Sequence, residues 1–532
     1  MIAKSWFSKP FLYALLAFSV LQFAAWPNAP FIQDENVFAP IAQLVAQGHV
    51  FDSEFNAAYG KSGSVTPGII LLAGVGAWLN NELTPLFARA FSVLAGFAIL
   101  FLAFKIARSY GFDETHAAIT AFFVATLPQV FETSHLLYSD AIALAFMLAA
   151  LVFFDRYAAK PGWTPLLVGT FLAVAGFYVR QTAIAVLALP LVLVIFDRSK
   201  RREIPRVLLM FLIAALLVAP WLFYVHDNFG QWLAPTPHEL DLSVLAIAKI
   251  PYVLAWIGFV SLPAAMLLAG SAWRRKDHVM LGLFGVFAFL ALLLFASGGW
   301  QFLNSGKASV WGSLLDVRGR IPILYHLLPN AAYVALTSLF TIAGAIIAGF
   351  WAKSGFDSAK RCLSGRAEGS CDHLELLLLA FSFIGILLAI TKGGPGVPAS
   401  EARYVIPALP FAVITMVRVL KGSRLVAWLA VPTLVGFAWM LALFSFAFAQ
   451  QSAVLYTNTL AQSVPGSCVY TNAPSFYASY STCDNDKARF ALVASGFAEQ
   501  TSLQGFVLDR EFKASLFGKS FSGVSVYRRA PA

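Results

Sequence analysis

Long apolar runs alternate with short polar connections along most of this chain, and the spacing of that alternation sets its class. The runs fall at 10–26, 86–104, 115–131, 136–154, 163–179, 182–197, 206–226, 249–271, 279–297, 327–350, 374–391, 404–420 and 425–449. Each approaches the roughly 20 residues a helix needs to cross a bilayer, so the pattern predicts about 13 transmembrane helices. The run PGIILLAGVGAWLN at 67–80 is too short to cross comfortably. Pro67 suits a first helical turn and Trp78 an interface, which predicts a helix lying on the membrane surface. The opening MIAKSWFSKPFLYALLAFSVLQFAAW has the charged head of a signal peptide, but its apolar run is long and PNAP is a poor cleavage site. It reads as a retained first span. Past residue 449 the chain turns polar, aromatic and rich in Gly and Ser, with short β-like runs such as GVSVYRR. The expected architecture is an all-α polytopic membrane domain over 1–449, with a first outer loop at 27–85, and a small α+β domain over 450–532.

Composition agrees. Of 532 residues, 59% are hydrophobic and 12% charged, against about a quarter charged in a soluble globule. The net charge of +10 could suggest nucleic acid, but its distribution points to basic cytoplasmic loops. With the N-terminus inside, the inner segments carry 21 Lys and Arg residues and the outer loops before the tail carry eight. That is the positive-inside asymmetry. A further crossing at 67–80 would invert everything downstream, so the charges also favour a surface helix there. The first loop and the tail then lie outside. Lack of any N-x-S/T sequon in an alanine-rich chain points to a bacterial plasma membrane, with the tail periplasmic. The four cysteines have no close pair, which excludes a disulfide scaffold or a four-thiolate zinc site of usual spacing. Cys468 and Cys483 fall on the outer side, where a disulfide is open to them. Cys362 and Cys371 fall on the inner side and are expected to stay reduced.

Polar groups gather at the outer mouth. Asp34 and Glu35 follow the first span in FIQDENVFAP, and Glu132, His135 and Asp140 bracket a tight turn in FETSHLLYSD. Arg180 and Gln181 form a short connection in GFYVRQTAI. His226, Asp227, His238, Glu239 and Asp241 decorate a later loop, while Glu401, Arg403 and Tyr404 open EARYVIPALP. Ionisable groups at membrane depth are costly and so are functional candidates. Structural roles compete with each. The first acids could cap a helix, Asp140 could pack helices, Arg180 could snorkel, and Arg403 with Tyr404 could sit in an interfacial belt. The His pairs lack metalloprotease spacing. No cofactor is expected, and two adjacent carboxylates do not make a divalent-metal site without further ligands. A carboxylate can deprotonate a hydroxyl and arginines can hold a phosphate. Acids, arginines and a membrane together describe sugar transfer from a lipid-linked phosphate sugar.

The order of QDENVFAPIAQLVAQGHVF, SVTPGIILLAGVGAWL, LFARAFSVLAGFAILFLAFKIARSYGF and LLYSDAIALAFMLAAL resembles the GT-C superfamily of integral-membrane glycosyltransferases. DENVFAPIAQLVAQGHV, SVTPGI and VRQTAI are similar to the dolichyl-phosphate-glucose α-1,2-glucosyltransferase family. SVTPGI has one proline where that family often has two, and the outer tail is long. The resemblance implies an inverting hexosyltransferase with a polyprenyl-phosphate hexose donor, such as glucose, and a glycan or glycolipid acceptor outside. It implies Asp34 as general base and Glu35 orienting its loop or binding acceptor. Asp140, Arg180, Gln181, Arg403 and Tyr404 would bind substrate. A flippase or transporter of lipid-linked sugars is the competing class, though no internal repeat or intramembrane ladder of acids supports it. A third reading is a non-catalytic assembly factor whose working part is the tail, in which no known motif stands out.

Overall fold

The computed structural model describes residues 8–24, 29–31, 35–60, 66–232, 250–294, 330–364, 373–391, 405–421, 423–464, 467–471, 481–482, 487–494, 503, 506–516 and 519–530. Helices form where the apolar runs predict them. α1 (Lys9–Ala24), α5 (Pro85–Ser109), α8 (Ser139–Ala159), α9 (Trp163–Val179), α10 (Ala188–Phe196) and α11 (Ile204–Phe229) belong to the first half. α12 (Ile250–Arg274), α13 (His278–Leu294), α14 (Asn330–Ser364), α15 (His373–Thr391), α16 (Leu409–Val419) and α17 (Ala430–Ser463) make the second. Five helices are long and apolar enough to cross a membrane by length and composition, and further apolar helices of 10–17 residues accompany them. The chain is an integral membrane protein. Between α1 and α5 stand α2 (Glu35–Ala46), α3 (Ser53–Tyr59) and α4 (Gly68–Asn80). α4 buries Ile69, Ile70, Ala73 and Ala77 and leaves Val75, Trp78 and Leu79 exposed.

Two departures from the simple spans have local causes. The run expected at 115–131 breaks into α6 (Glu114–Ala125) and α7 (Pro128–His135). Leu127 precedes Pro128 and adopts ψ 138°, because proline pushes its predecessor out of the helical region. α7 is buried at every one of its eight positions, among α5, α8 and α17. Farther on, α12 bends at Ser261, whose φ of −115° and ψ of 18° are not helical. Pro263 has no N–H to give the carbonyl of Phe259. The Trp428 indole N–H donates to that oxygen at 3.0 Å instead, so the kink joins α12 to the turn before α17.

Between Cys468 and Arg529 the described residues form a five-stranded sheet ordered β2-β1-β3-β5-β4. Its strands are β1 (Cys468–Thr471), β2 (Ser481–Thr482), β3 (Phe490–Ala494), β4 (Phe506–Leu516) and β5 (Lys519–Arg529). β1 pairs in parallel with β2 and β3, and β5 pairs antiparallel with β3 and β4. GVSVYRR lies in β5, with Val524 and Val526 turned into the core. The boundary expected at 449/450 is bridged, since α17 runs unbroken through it. Its 34 residues span about 51 Å, well beyond a hydrocarbon core of about 30 Å. The excess packs on β3, β4 and β5. Cys362 is disulfide-bonded, and so is Cys468, which corrects the reduced state expected for Cys362. Sidedness speaks only to the redox environment and not to which cysteines meet in the fold.

α12 and α14 cross so closely that a methyl group on Gly258 would run into the Phe340 carbonyl, and one on Gly344 into that of Leu254. Overpacking of this kind costs about 1–3 kcal/mol or more. Gly344→Leu should therefore lower the thermal midpoint of the detergent-purified protein. Gly270→Ala, on the same α12 but with open space around the position, should leave it unchanged or raise it.

Candidate active site

The segment between α1 and α5 is anchored by one buried ion pair. Glu35 opens α2, where an acid is favoured by the helix dipole. Arg89 lies in the first turns of α5, and both side chains are wholly buried. Arg89 Nε donates to Glu35 Oε1 at 2.7 Å and Nη2 to Oε2 at 2.6 Å. The guanidinium also donates to the carbonyls of Ala29 at 2.6 Å and Pro30 at 3.0 Å. It lies over the rings of Phe31 and Phe444, each 5.6 Å away. Glu35 Oε1 also accepts the backbone N–H of Leu137 at 2.7 Å. One carboxylate thus joins α2 and α5 to the turn that leads into α8. Glu35 has no exposed surface for a substrate, so its geometry is that of a residue that fixes the loop.

That turn delivers Asp140. It is the second residue of α8, almost wholly buried, and its Oδ2 accepts from Arg180 Nη1 at 2.9 Å. The same nitrogen donates to Ser139 Oγ at 2.9 Å. α9 ends at Val179, and Arg180 is extended at φ −154° and ψ 119°, so its side chain leaves the helix where the chain turns into a 3-10 stretch, Gln181–Leu187. α4 closes on this corner from outside. Thr66 Oγ1 donates to the Val179 carbonyl at 2.9 Å, and any side chain at Gly68 would strike the Tyr178 carbonyl. Asp140, Arg180 and Thr182 form the polar end of a cleft with about 290 Å³ of atom-free space, part of it open to the surroundings. Met147, Leu144, Leu388, Ile406 and Pro407 make its apolar wall. Sequence reasoning missed that wall, because Leu388 and Ile406 approach α8 only through the tertiary fold.

The remaining candidates divide. Gln181 is half-buried beside Arg180. Asp34, Glu401, Arg403 and Tyr404 lie outside the described residues, as do His238, Glu239 and Asp241. Ile406, two residues past Tyr404, lines the cleft. Glu132 and His135 are buried in α7. The ring nitrogens of His135 face the carbonyls of Phe131 at 2.7 Å and Gln22 at 3.0 Å, which ties α7 to α1. His226 stacks on Trp232 with 4.2 Å between centroids. Between α2 and α3, the hydrogen bond that His49 donates to Asp52, followed by the charge of Glu54, holds His49 above the ordinary imidazole range. Asp52 is held below the usual carboxylate range, first by the N–H of Phe55, which it caps, and then by His49. Among the described residues no group of three or more His, Cys, Asp or Glu side chains could hold a metal ion.

Residues 65–224 match the sequence model of a family described as Dolichyl-phosphate-mannose-protein mannosyltransferase. The matched stretch contains Arg89, Asp140 and Arg180. Among solved structures the chain is similar to ArnT from Cupriavidus metallidurans in the apo state, at 15% identity over 97% of each chain and a TM-score of 0.40. ArnT from Cupriavidus metallidurans bound to undecaprenyl phosphate gives 14% identity over 97% of each chain and the same score. The Archaeoglobus fulgidus oligosaccharyltransferase, in complex with zinc and sulfate, gives 13% identity over 81% of this chain and 53% of that one, with a TM-score of 0.45. No curated protein sequence matches the chain.

Chemically, the corner offers a cationic group at the polar end of an apolar cleft, with a carboxylate beside it. The Glu35–Arg89 pair makes its own prediction. Removing one partner of a buried pair typically costs about 3–5 kcal/mol, because the other charge is left without compensation. Glu35→Leu alone should therefore lower the thermal midpoint sharply, while Glu35→Leu combined with Arg89→Met should recover much of it. Activity should stay lost in the double variant, because the carboxylate that holds Leu137 is gone. Melting curves beside turnover of the same preparations would check this.

Proposed function

We propose that the protein is an integral-membrane glycosyltransferase that moves a hexose from a polyprenyl-phosphate carrier to a hydroxyl of a glycan or glycolipid. The observation that carries this reading is the Asp140–Arg180 pair at the polar end of an apolar cleft. An arginine can bind a phosphate with charge-assisted hydrogen bonds, and an apolar wall beside it suits the first isoprene units of a lipid carrier. The family match over 65–224 supports the same class. In this reading Arg180 exchanges part of its contact with Asp140 and Ser139 for the donor phosphate and stabilises the charge that phosphate gains on leaving. Arg403 and Tyr404, close in sequence to Ile406 of the cleft wall, complete the phosphate site, and Gln181 contacts the donor head.

Asp34 acts as the general base. It is the immediate neighbour of Glu35, so the Arg89 lock restricts where it can reach. As the acceptor oxygen attacks the anomeric carbon, Asp34 takes its proton and the phosphate departs from the opposite face. The product is inverted at that carbon. The resemblance of the motifs to glucosyltransferases favours glucose, whereas the family match names mannose for its own members, so both donors belong in the test. The plasma membrane of a bacterium, with the site on its outer face, is the setting the loop charges favour.

Purified protein in nanodiscs, supplied with polyprenyl-phosphate glucose or mannose and total membrane lipid as acceptor, should transfer radiolabelled sugar. Asp34→Asn should lower kcat by about 10²–10⁴-fold. Arg180→Ala should lower both kcat and kcat/KM for the donor, because it removes an interaction that strengthens as the phosphate leaves. Full turnover by Asp34→Asn would remove it as the base, and failure of every donor would reject the class.

A further inference from the structure

The cleft lies at one end of α9, and an unpaired basic surface lies at the other. α9 has 17 residues, so its Trp163 end is about 25 Å from Arg180. Here the turn Arg198–Glu203 leads into α11 with the sequence RSKRRE. Arg198, Arg201 and Arg202 are exposed and Lys200 is half-buried, and among the described residues none of the four has an ion-pair partner. Neighbouring acids are already engaged. Asp197 pairs with His373 at 2.8 Å. Glu203 pairs with Arg206 at 2.7 Å and accepts from Tyr157 at 3.2 Å, which fastens the turn to α8. Exposed Arg156 and Lys160, at the end of α8, extend the surface.

Directly along the chain from this charge runs a line of exposed apolar side chains. Ile204, Leu208, Leu212 and Leu216 are 42%, 60%, 55% and 64% exposed and stand four residues apart, so they lie on one face of α11. Trp163, 41% exposed, sits beneath the Arg206 guanidinium at 5.7 Å, an amphipathic ring suited to the headgroup level. Charge without partners, an interfacial tryptophan and a greasy stripe in line match the two halves of one molecule. We propose that the Arg198–Arg206 turn and the outward face of α11 bind an anionic phospholipid, its phosphate held by the unpaired arginines and its acyl chains lying along the leucine stripe. The site is independent of the catalytic reading, and polybasic segments at the membrane surface attract anionic lipid.

The test uses the full chain in nanodiscs of phosphatidylcholine containing a minor fraction of phosphatidylglycerol, with bound lipid counted by native mass spectrometry after release. Wild type should retain phosphatidylglycerol over phosphatidylcholine. Replacing Arg198, Arg201 and Arg202 by Gln should reduce that preference about tenfold or more. An equal neutralisation elsewhere, Arg274→Gln with Arg275→Gln and Lys276→Gln, should leave most of it. Equal losses in the two triple variants would mean general attraction of basic loops and would overturn the site, as would no loss in either. Inorganic phosphate at millimolar concentration should not displace the lipid from wild type. Full displacement would mark a free-phosphate site and overturn the lipid assignment even if the first triple variant failed to fold.

Discussion

A positive charge buried without water must be answered completely, and Arg89 is answered by two segments far from it in sequence. Its guanidinium has carboxylate and carbonyl partners on its edges and phenylalanine faces around it. Such pairs give little net stability over an apolar substitute, and their value lies in specifying one arrangement. Here the arrangement is the path of the chain from the end of α1 into α2, and through the Leu137 N–H the entry into α8. The residues proposed for chemistry hang from those two points.

The second pair, Asp140 with Arg180, is differently balanced. Arg180 is only partly buried and meets its carboxylate through one nitrogen, whereas Arg89 is wholly buried and meets Glu35 through two. A pair of this kind can trade partners at lower cost than the Glu35–Arg89 fork, whose both oxygens and most donors are committed. The contrast separates a joint from a working surface. It follows from exposure and bond count rather than from residue type, since both are arginine–carboxylate pairs.

Much of the fold was legible in the sequence because burial in a membrane domain is written as length and hydrophobicity. Every apolar run carries a helix within its bounds, and GVSVYRR lies in a strand. The broken run at 115–131 was less legible. A proline near its C-terminal end permits either a kinked crossing or two helices, and the packing of α7 among three neighbours decides for two. The site was half legible. Asp140 and Arg180 could be singled out as ionisable groups at span ends, but their pairing across 40 residues could not. The polar positions of α7 misled in the other direction: Glu132 and His135 look like an outer-mouth pair in one dimension and are buried helix contacts in three. At 449 the composition changes without a change of secondary structure, since α17 runs on to Ser463 and packs its far end on the sheet.

That continuity bears on how the sheet can move. α17 carries the sheet on its far end, and its Phe444 rests against the guanidinium that anchors the first loop. A helix without a break between those two points behaves as a strut. The sheet therefore has no hinge in α17 about which to swing aside, and swinging it as a unit would pull on the best-buried ion pair in the protein. The sheet, α17 and the anchor of the loop between α1 and α5 shift together or not at all.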